Sequence, residues 1–195
     1  MMDAGRHPRI QLHTLSEVVG LQGTAGAFEA RVRHNPSFVD PDRCIGCGLC
    51  AEACPSIRPN PYDAGLKAAK AIDRPFPQAV PSVYTLDADR CLNSKLESPK
   101  GFRVLACVKC EEICQPKAID FDMQPEIVER EVGTIAVATG FDLQLGSQAE
   151  LYGYRQALDV MDGLEFERML SASGPTGGEV RRPSDGKVPK DVVFI

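Results

Sequence analysis

The sequence predicts an α+β chain in which a cysteine-rich unit interrupts a β-sheet, and three observations lead there. Strand-like runs fill residues 8–33, a strand pattern returns over residues 124–140, and all eight cysteines fall between them in two spaced sets. The simplest topology makes the later strands continue the sheet begun by the earlier ones, with the cysteine unit inserted between neighbouring strands.

In chain order, residues 1–35 read as short strands, "RIQLHTL", "SEVVGLQ" and "AFEARVR", the last two flanking the turn Gly23-Thr24-Ala25-Gly26 as a hairpin. Residues 36–122 hold the cysteine unit. Its two motifs are separated by "NPYDAGLKAAKAIDRPFPQAVP", where Asp63 is expected to cap a short helix running through Lys70, and Pro75, Pro77 and Pro81 to enforce extended chain. This piece reads as a semi-rigid connector with no chemistry of its own. Residues 123–145 alternate through Ile127 and Val128 and then give a buried-looking strand over 134–138 that ends at Thr139-Gly140. Residues 146–195 form a connecting segment. It has an amphipathic helix over 160–173, with Phe166, Met169 and Leu170 on one face and Asp162 as cap, and then "VVFI" as the start of a further strand.

The chemistry lies in the cysteines. "CIGCGLCAEACP" places Cys44, Cys47, Cys50 and Cys54 in the run C-x2-C-x2-C-x3-C-P used by bacterial ferredoxins. The second set, Cys91, Cys107, Cys110 and Cys114, ends in the same way but begins with a distant cysteine. The approach to Cys44, "PSFVDPDRC", returns before Cys91 as "PSVYTLDADRC" at an offset of 47 residues, an internal repeat that makes Cys91 the counterpart of Cys44 and leaves an insertion between Cys91 and Cys107. In two-cluster ferredoxins the fourth cysteine of each run ligates the other cluster. The expected ligand sets are therefore Cys44, Cys47, Cys50 and Cys114 for one 4Fe-4S cluster, and Cys91, Cys107, Cys110 and Cys54 for a second. Structural zinc draws instead on separated pairs, and with every cysteine used none is left for a disulfide.

The remaining composition excludes other classes. With 43% apolar residues and a formal net charge of −5, the chain has ordinary soluble composition, and no basic stripe suits it to nucleic acid. The longest apolar stretch, "GTIAVATGF", is too short to cross a bilayer, and "MMDAGRHPRI" lacks the apolar core of a signal peptide, so no membrane insertion and a cytoplasmic location are expected. His7, His13 and His34 read as isolated from one another, and no residue set suggests acid–base or nucleophilic catalysis. The chemistry expected is one-electron transfer.

"IAVATGFD" resembles the ATG motif of flavoproteins with the two-dinucleotide-binding-domain fold, a strand running into a small-residue turn beside FAD, here Ala138, Thr139 and Gly140. No G-x-G-x-x-G occurs in the chain. The arrangement as a whole resembles the A-subunit family of heterodisulfide reductase, whose members are flavin and iron–sulfur proteins. "SEVVGLQGTAGAFEARV", "DRCIGCGLCAEACP", "FPQAVPSVYTLD", "EVGTIAVATGFD" and "LEFERMLSASGPTGGEVRRPSDGKVPK" follow that family's segments in order. The resemblance implies a two-cluster ferredoxin domain inserted into the sheet of an incomplete FAD-binding, thioredoxin-reductase-like domain, and it implies an internal or truncated portion of the family's chain. It also implies electron relay between FAD and partner iron–sulfur oxidoreductase subunits, together with flavoprotein segments outside this sequence. The alternative is a non-catalytic ferredoxin-like electron carrier.

Overall fold

The computed structural model describes residues 2–93, 106–143 and 148–195, and it is an α+β fold with small antiparallel sheets. The expected insertion between Cys91 and Cys107, and the expected boundary at 145, lie largely outside the described residues. The chain forms two compact units, one of residues 1–57, 70–74 and 78–139, the other of residues 58–69, 75–77 and 140–195.

The first unit opens with a short helix, α1 (Met2–Arg6), and then a three-stranded sheet. "RIQLHTL" is not a strand. Thr14 and Leu15 turn, with Leu15 at φ 52°, and the stretch from Ile10 has no partner in the sheet. The expected hairpin is present as β1 (Ser16–Thr24) and β2 (Ala27–His34), joined by Ala25-Gly26. At Gly23, φ is +95° and an added Cβ would stand 2.2 Å from the carbonyl oxygen of Ala27, so only glycine lets the strands meet there.

The strand that pairs with the other edge of β2 is β7 (Glu126–Val132), antiparallel, with His34 opposite Glu126 and Val32 opposite Val128. Sheet order is β1-β2-β7, so the whole cysteine-bearing segment is carried between two neighbouring strands. The expected strand over 134–138 does not form. The ladder closes at Gly133, whose carbonyl accepts the amide of Gly26, and Ile135 and Val137 are exposed. Apolar residues alone do not hold a strand without a ladder to join.

The core of this unit gathers Val39, Ile72, Leu86, Ala118, Ile119 and Phe121 around three buried cysteines, Cys50, Cys54 and Cys110. Ala71 and Ile72 come from the supposed connector. Instead of running extended, it supplies β5 (Ile72–Asp73), which pairs with β6 (Thr85–Leu86), and turns between them.

In the second unit the expected helix from Asp63 is replaced by a single 3-10 turn, Pro61–Asp63, after β3 (Ile57–Pro59) and before β4 (Ala68–Lys70). Asn60 takes the capping role, its Oδ1 accepting the amide of Tyr62 at 3.0 Å. Asp63 is buried. Its carboxylate receives Nε and Nη2 of Arg168 at 3.1 and 3.0 Å on one oxygen and Nδ2 of Asn60 at 2.9 Å on the other. Arg168 also lies over the Tyr62 ring, which stacks on Phe76. Satisfying this buried pair decides the local backbone where sequence pattern alone suggested a helix.

Arg168 belongs to α5 (Gly163–Leu170), preceded by the short α4 (Gln148–Leu151). Asp162 caps α5 as expected, in a reciprocal box with Glu165. Phe166 and Met169 face inward, but Leu170 is 53% exposed, because the helix stops at that turn. The terminal "VVFI" is irregular chain, with Phe194 edge-on to Phe166 at 5.2 Å, beside a cavity of about 370 Å³.

Candidate metal centre

The repeat in sequence is a repeat in structure. The carbonyl of Asp40 accepts the amide of Cys44 at 2.9 Å while its carboxylate accepts the amide of Asp42 at 2.9 Å; Asp87 does the same for Cys91 and Asp89, each at 3.0 Å. These aspartate turns aim the first cysteine of each half. A short helix then follows in each half, α2 (Leu49–Ala53) and α3 (Lys109–Ile113), carrying the third cysteine, Cys50 or Cys110, on its buried side. The two helices pack on one another. Gly48 precedes α2 at φ +89°, and an added Cβ would lie 3.0 Å from the hydroxyl of Tyr84. The matching Val108 sits at φ −120° and needs no such freedom.

Two cavities result. Cys44, Cys47, Cys50 and Cys114 line the first, with walls that include Val39, Leu49, Tyr84 and Ile119. Cys54, Cys91, Cys107 and Cys110 line the second, with Leu86, Leu92 and Lys109. Val39 and Leu86, equivalent across the 47-residue offset, occupy equivalent walls. Each half therefore sends its last cysteine to the other half's cavity. Among the described residues no three Cys, His, Asp or Glu side chains close to the spacing of a single bound ion. The eight cysteines form no disulfide and stand around these two spaces.

Burial sets the electrostatics. Cys50 is pushed up to about 11 and Cys110 to about 12, chiefly because burial disfavours the thiolate, with neighbouring cysteines adding to the shift. Backbone amides point at sulfur on both sides: Ala118 N–H donates to Cys114 Sγ at 3.2 Å and Asn93 N–H to Cys91 Sγ at 3.3 Å. A bridge between Asn93 and Ala106 brings together the two described ends of the second half's insertion. An apolar wall, four convergent sulfurs and amide donors fit a thiolate-ligated cluster in each cavity.

Ala138, Thr139 and Gly140 are exposed and line neither cysteine cavity. Gly140 has φ +77° with nothing within 4 Å of an added Cβ, so its backbone conformation accounts for the glycine. Of the histidines, His13 and His34 are not isolated: their rings meet edge to face at 4.8 Å, because the end of β2 returns to the turn before β1. Two residues that bear on the cavities carry no signal in the sequence pattern. Tyr84 walls the first, its hydroxyl pushed up by burial, and Lys70 donates its ammonium to the carbonyl of Cys54 at 2.9 Å.

Residues 38–56, the first cysteine run, match the 4Fe-4S binding domain family. Over its whole length the chain is 44% identical to the A subunit of the H(2):CoB-CoM heterodisulfide,ferredoxin reductase of Methanothermobacter thermautotrophicus and 48% identical to an iron-sulfur A subunit of the CoB--CoM heterodisulfide reductase of Methanopyrus kandleri. The chain is homologous to a portion of the heterodisulfide reductase A subunit. It covers 28% of each of those relatives, so it spans about a quarter of the A-subunit chains it matches. The corresponding protein of the Ferredoxin:CoB-CoM heterodisulfide reductase of Methanosarcina mazei is more distant, at 39% identity and 23% of its length. The chain's second cysteine run lies outside the matched 4Fe-4S segment.

Proposed function

We propose that this chain is an electron-transfer portion of a heterodisulfide-reductase-type iron–sulfur oxidoreductase and holds two 4Fe-4S clusters, one in each cysteine cavity. The observation that carries the reading is the crosswise lining: Cys44, Cys47, Cys50 and Cys114 around one space, Cys91, Cys107, Cys110 and Cys54 around the other. Such clusters accept and release single electrons. The chain's own residues place the sulfurs, keep water from the inner faces with Val39, Leu86 and Ile119, and direct amides at Cys91 and Cys114.

Partners follow from the same reading: other subunits of an iron–sulfur oxidoreductase that exchange electrons with these clusters, as the relatives' names as reductase subunits suggest. A flavin would meet this chain at the turn of Ala138, Thr139 and Gly140, where the ATG resemblance falls; that turn is exposed among the described residues. A free ferredoxin-like carrier is the second reading; the sheet formed by β1, β2 and β7 around the cysteine unit favours the first, since a diffusing carrier has no use for it.

Cys91→Ala tests the cluster assignment. The variant is expected to lose one cluster and keep the one at Cys44, measured as iron, acid-labile sulfide and the electron paramagnetic resonance spectrum of the reduced protein. Retention of both clusters with an unchanged spectrum would remove Cys91 from the ligand set.

A further inference from the structure

Residues 82–84 lie along the loop that joins the first three cysteines. Both glycines of that loop have left-handed backbone, Gly46 at φ +69° and Gly48 at φ +89°. The same segment overlies each: an added Cβ would stand 3.0 Å from the carbonyl oxygen of Ser82 at Gly46, and 3.0 Å from the hydroxyl of Tyr84 at Gly48. The Tyr84 oxygen therefore sits beside the chain between Cys47 and Cys50, and its side chain walls the cavity lined by Cys44, Cys47, Cys50 and Cys114.

The surroundings hold the ring in place. The Arg74 guanidinium lies over it, 5.5 Å from the ring centroid, and Nη1 of Arg74 donates to Ser82 Oγ at 2.7 Å. The next two residues form β6 against β5, and the amide of Leu86 donates to the carbonyl of Ser37 at 2.9 Å. The hydroxyl, by contrast, is uncommitted: among the described residues its proton meets no acceptor. A tyrosine hydroxyl carried this far into a fold ordinarily finds a partner. Cys50 and Cys47 are near enough to act on it electrostatically, so the sulfur-lined cavity is where that partner is to be found.

We propose that the Tyr84 hydroxyl donates a hydrogen bond to sulfur of the cluster held by Cys44, Cys47, Cys50 and Cys114, and thereby raises the reduction potential of that cluster. The proposal rests on the two-cluster reading above. One added electron places more negative charge on the cluster sulfurs, a donor bond to them strengthens, and the reduced state gains more than the oxidised one. The proton stays on the phenol oxygen throughout, so one electron enters and no proton moves. Tyr84 tunes the site without being a ligand. Gly48 has its place in the same device, since a side chain there would crowd the hydroxyl.

The test is a redox titration of the full chain, followed by electron paramagnetic resonance and visible absorbance, after iron and sulfide have been counted. In Tyr84→Phe, which keeps the ring and loses the hydroxyl, one wave should fall, its reduced-to-oxidised ratio at fixed solution potential changing about tenfold, or 59 mV. That wave should be the one that Cys91→Ala leaves, and the other should stay. Electron–nuclear double resonance of the reduced protein, in ordinary water and in deuterium oxide, should show a solvent-exchangeable proton coupled to the Cys44 site that Tyr84→Phe lacks. Retained clusters with both waves unmoved or moved together, or an exchangeable coupling that survives the substitution, would overturn the proposal. So would a Tyr84→Phe chain that loads only the Cys91 site, because Tyr84 would then serve assembly and not potential. An unaltered chain that binds fewer than two clusters would overturn the underlying reading instead.

Discussion

In the proposed two-cluster state, Cys50 and Cys110 each turn from thiol to thiolate in a place that resists charge. Burial raises both groups, to about 11 and about 12, so in the cluster-free chain they stay protonated at neutral pH. Loading clusters must then expel those protons. Reconstitution in weak buffer is expected to release acid, and cluster affinity to rise with pH from 7 towards 9, read by indicator dye and by iron retention. The sign for the cluster-free fold is the opposite. Its native thiols have raised values, so their contribution to stability is complete below the ordinary cysteine range and is lost as pH climbs towards 11 and 12; its denaturation midpoint should fall over that span. The cysteines were legible in sequence because spacing alone encodes a cluster motif. Tyr84 and Lys70 were not: Tyr84 lies in the approach to Cys91 yet walls the other half's cavity, and Lys70 meets the carbonyl of Cys54 through the fold of a segment whose prolines suggested only a spacer.

The elements show the same division. The hairpin of β1 and β2 was legible because its turn glycines and alternating strands are local signals, and the Asp162 cap of α5 because a capping box spans four residues. The failed elements are those decided at long range. Asp63 was expected to begin a helix, but its carboxylate is committed to Arg168, which lies 105 positions along the chain. The segment 134–138 has strand composition but joins no ladder among the described residues. Arg168 and Asp63 are buried almost completely, so Asp63→Ala leaves a cation without its partner in a dry site, at a cost of about 3–5 kcal/mol. Denaturant unfolding monitored in the second unit should show that loss, whereas Asp162→Ala should cost about 1 kcal/mol through the cap.

For the whole molecule, the repeat and the crossing cysteines tie the two cysteine cavities to the core of the first unit, while α5 and the terminal segment belong to the second. Cluster removal should therefore be felt unevenly. Hydrogen exchange on the chain before and after iron chelation is expected to quicken sharply over residues 38–57 and 106–123 and to change little over 148–195. Uniform quickening along the chain would mean that the two units share a single cooperative transition.

The pairing of His34 with Glu126 has a consequence for inheritance as well as for folding. The chain leaves the sheet and returns to it at facing positions on adjacent strands, so the two cut ends of the intervening stretch already touch, while residues 58–69 and 75–77 within it belong to the second unit. A recombination event that exchanged this stretch for another with closely spaced termini would leave the register of β2 against β7 unchanged. Genes could thus trade one electron-carrying insert for another without redrawing the sheet that hosts it.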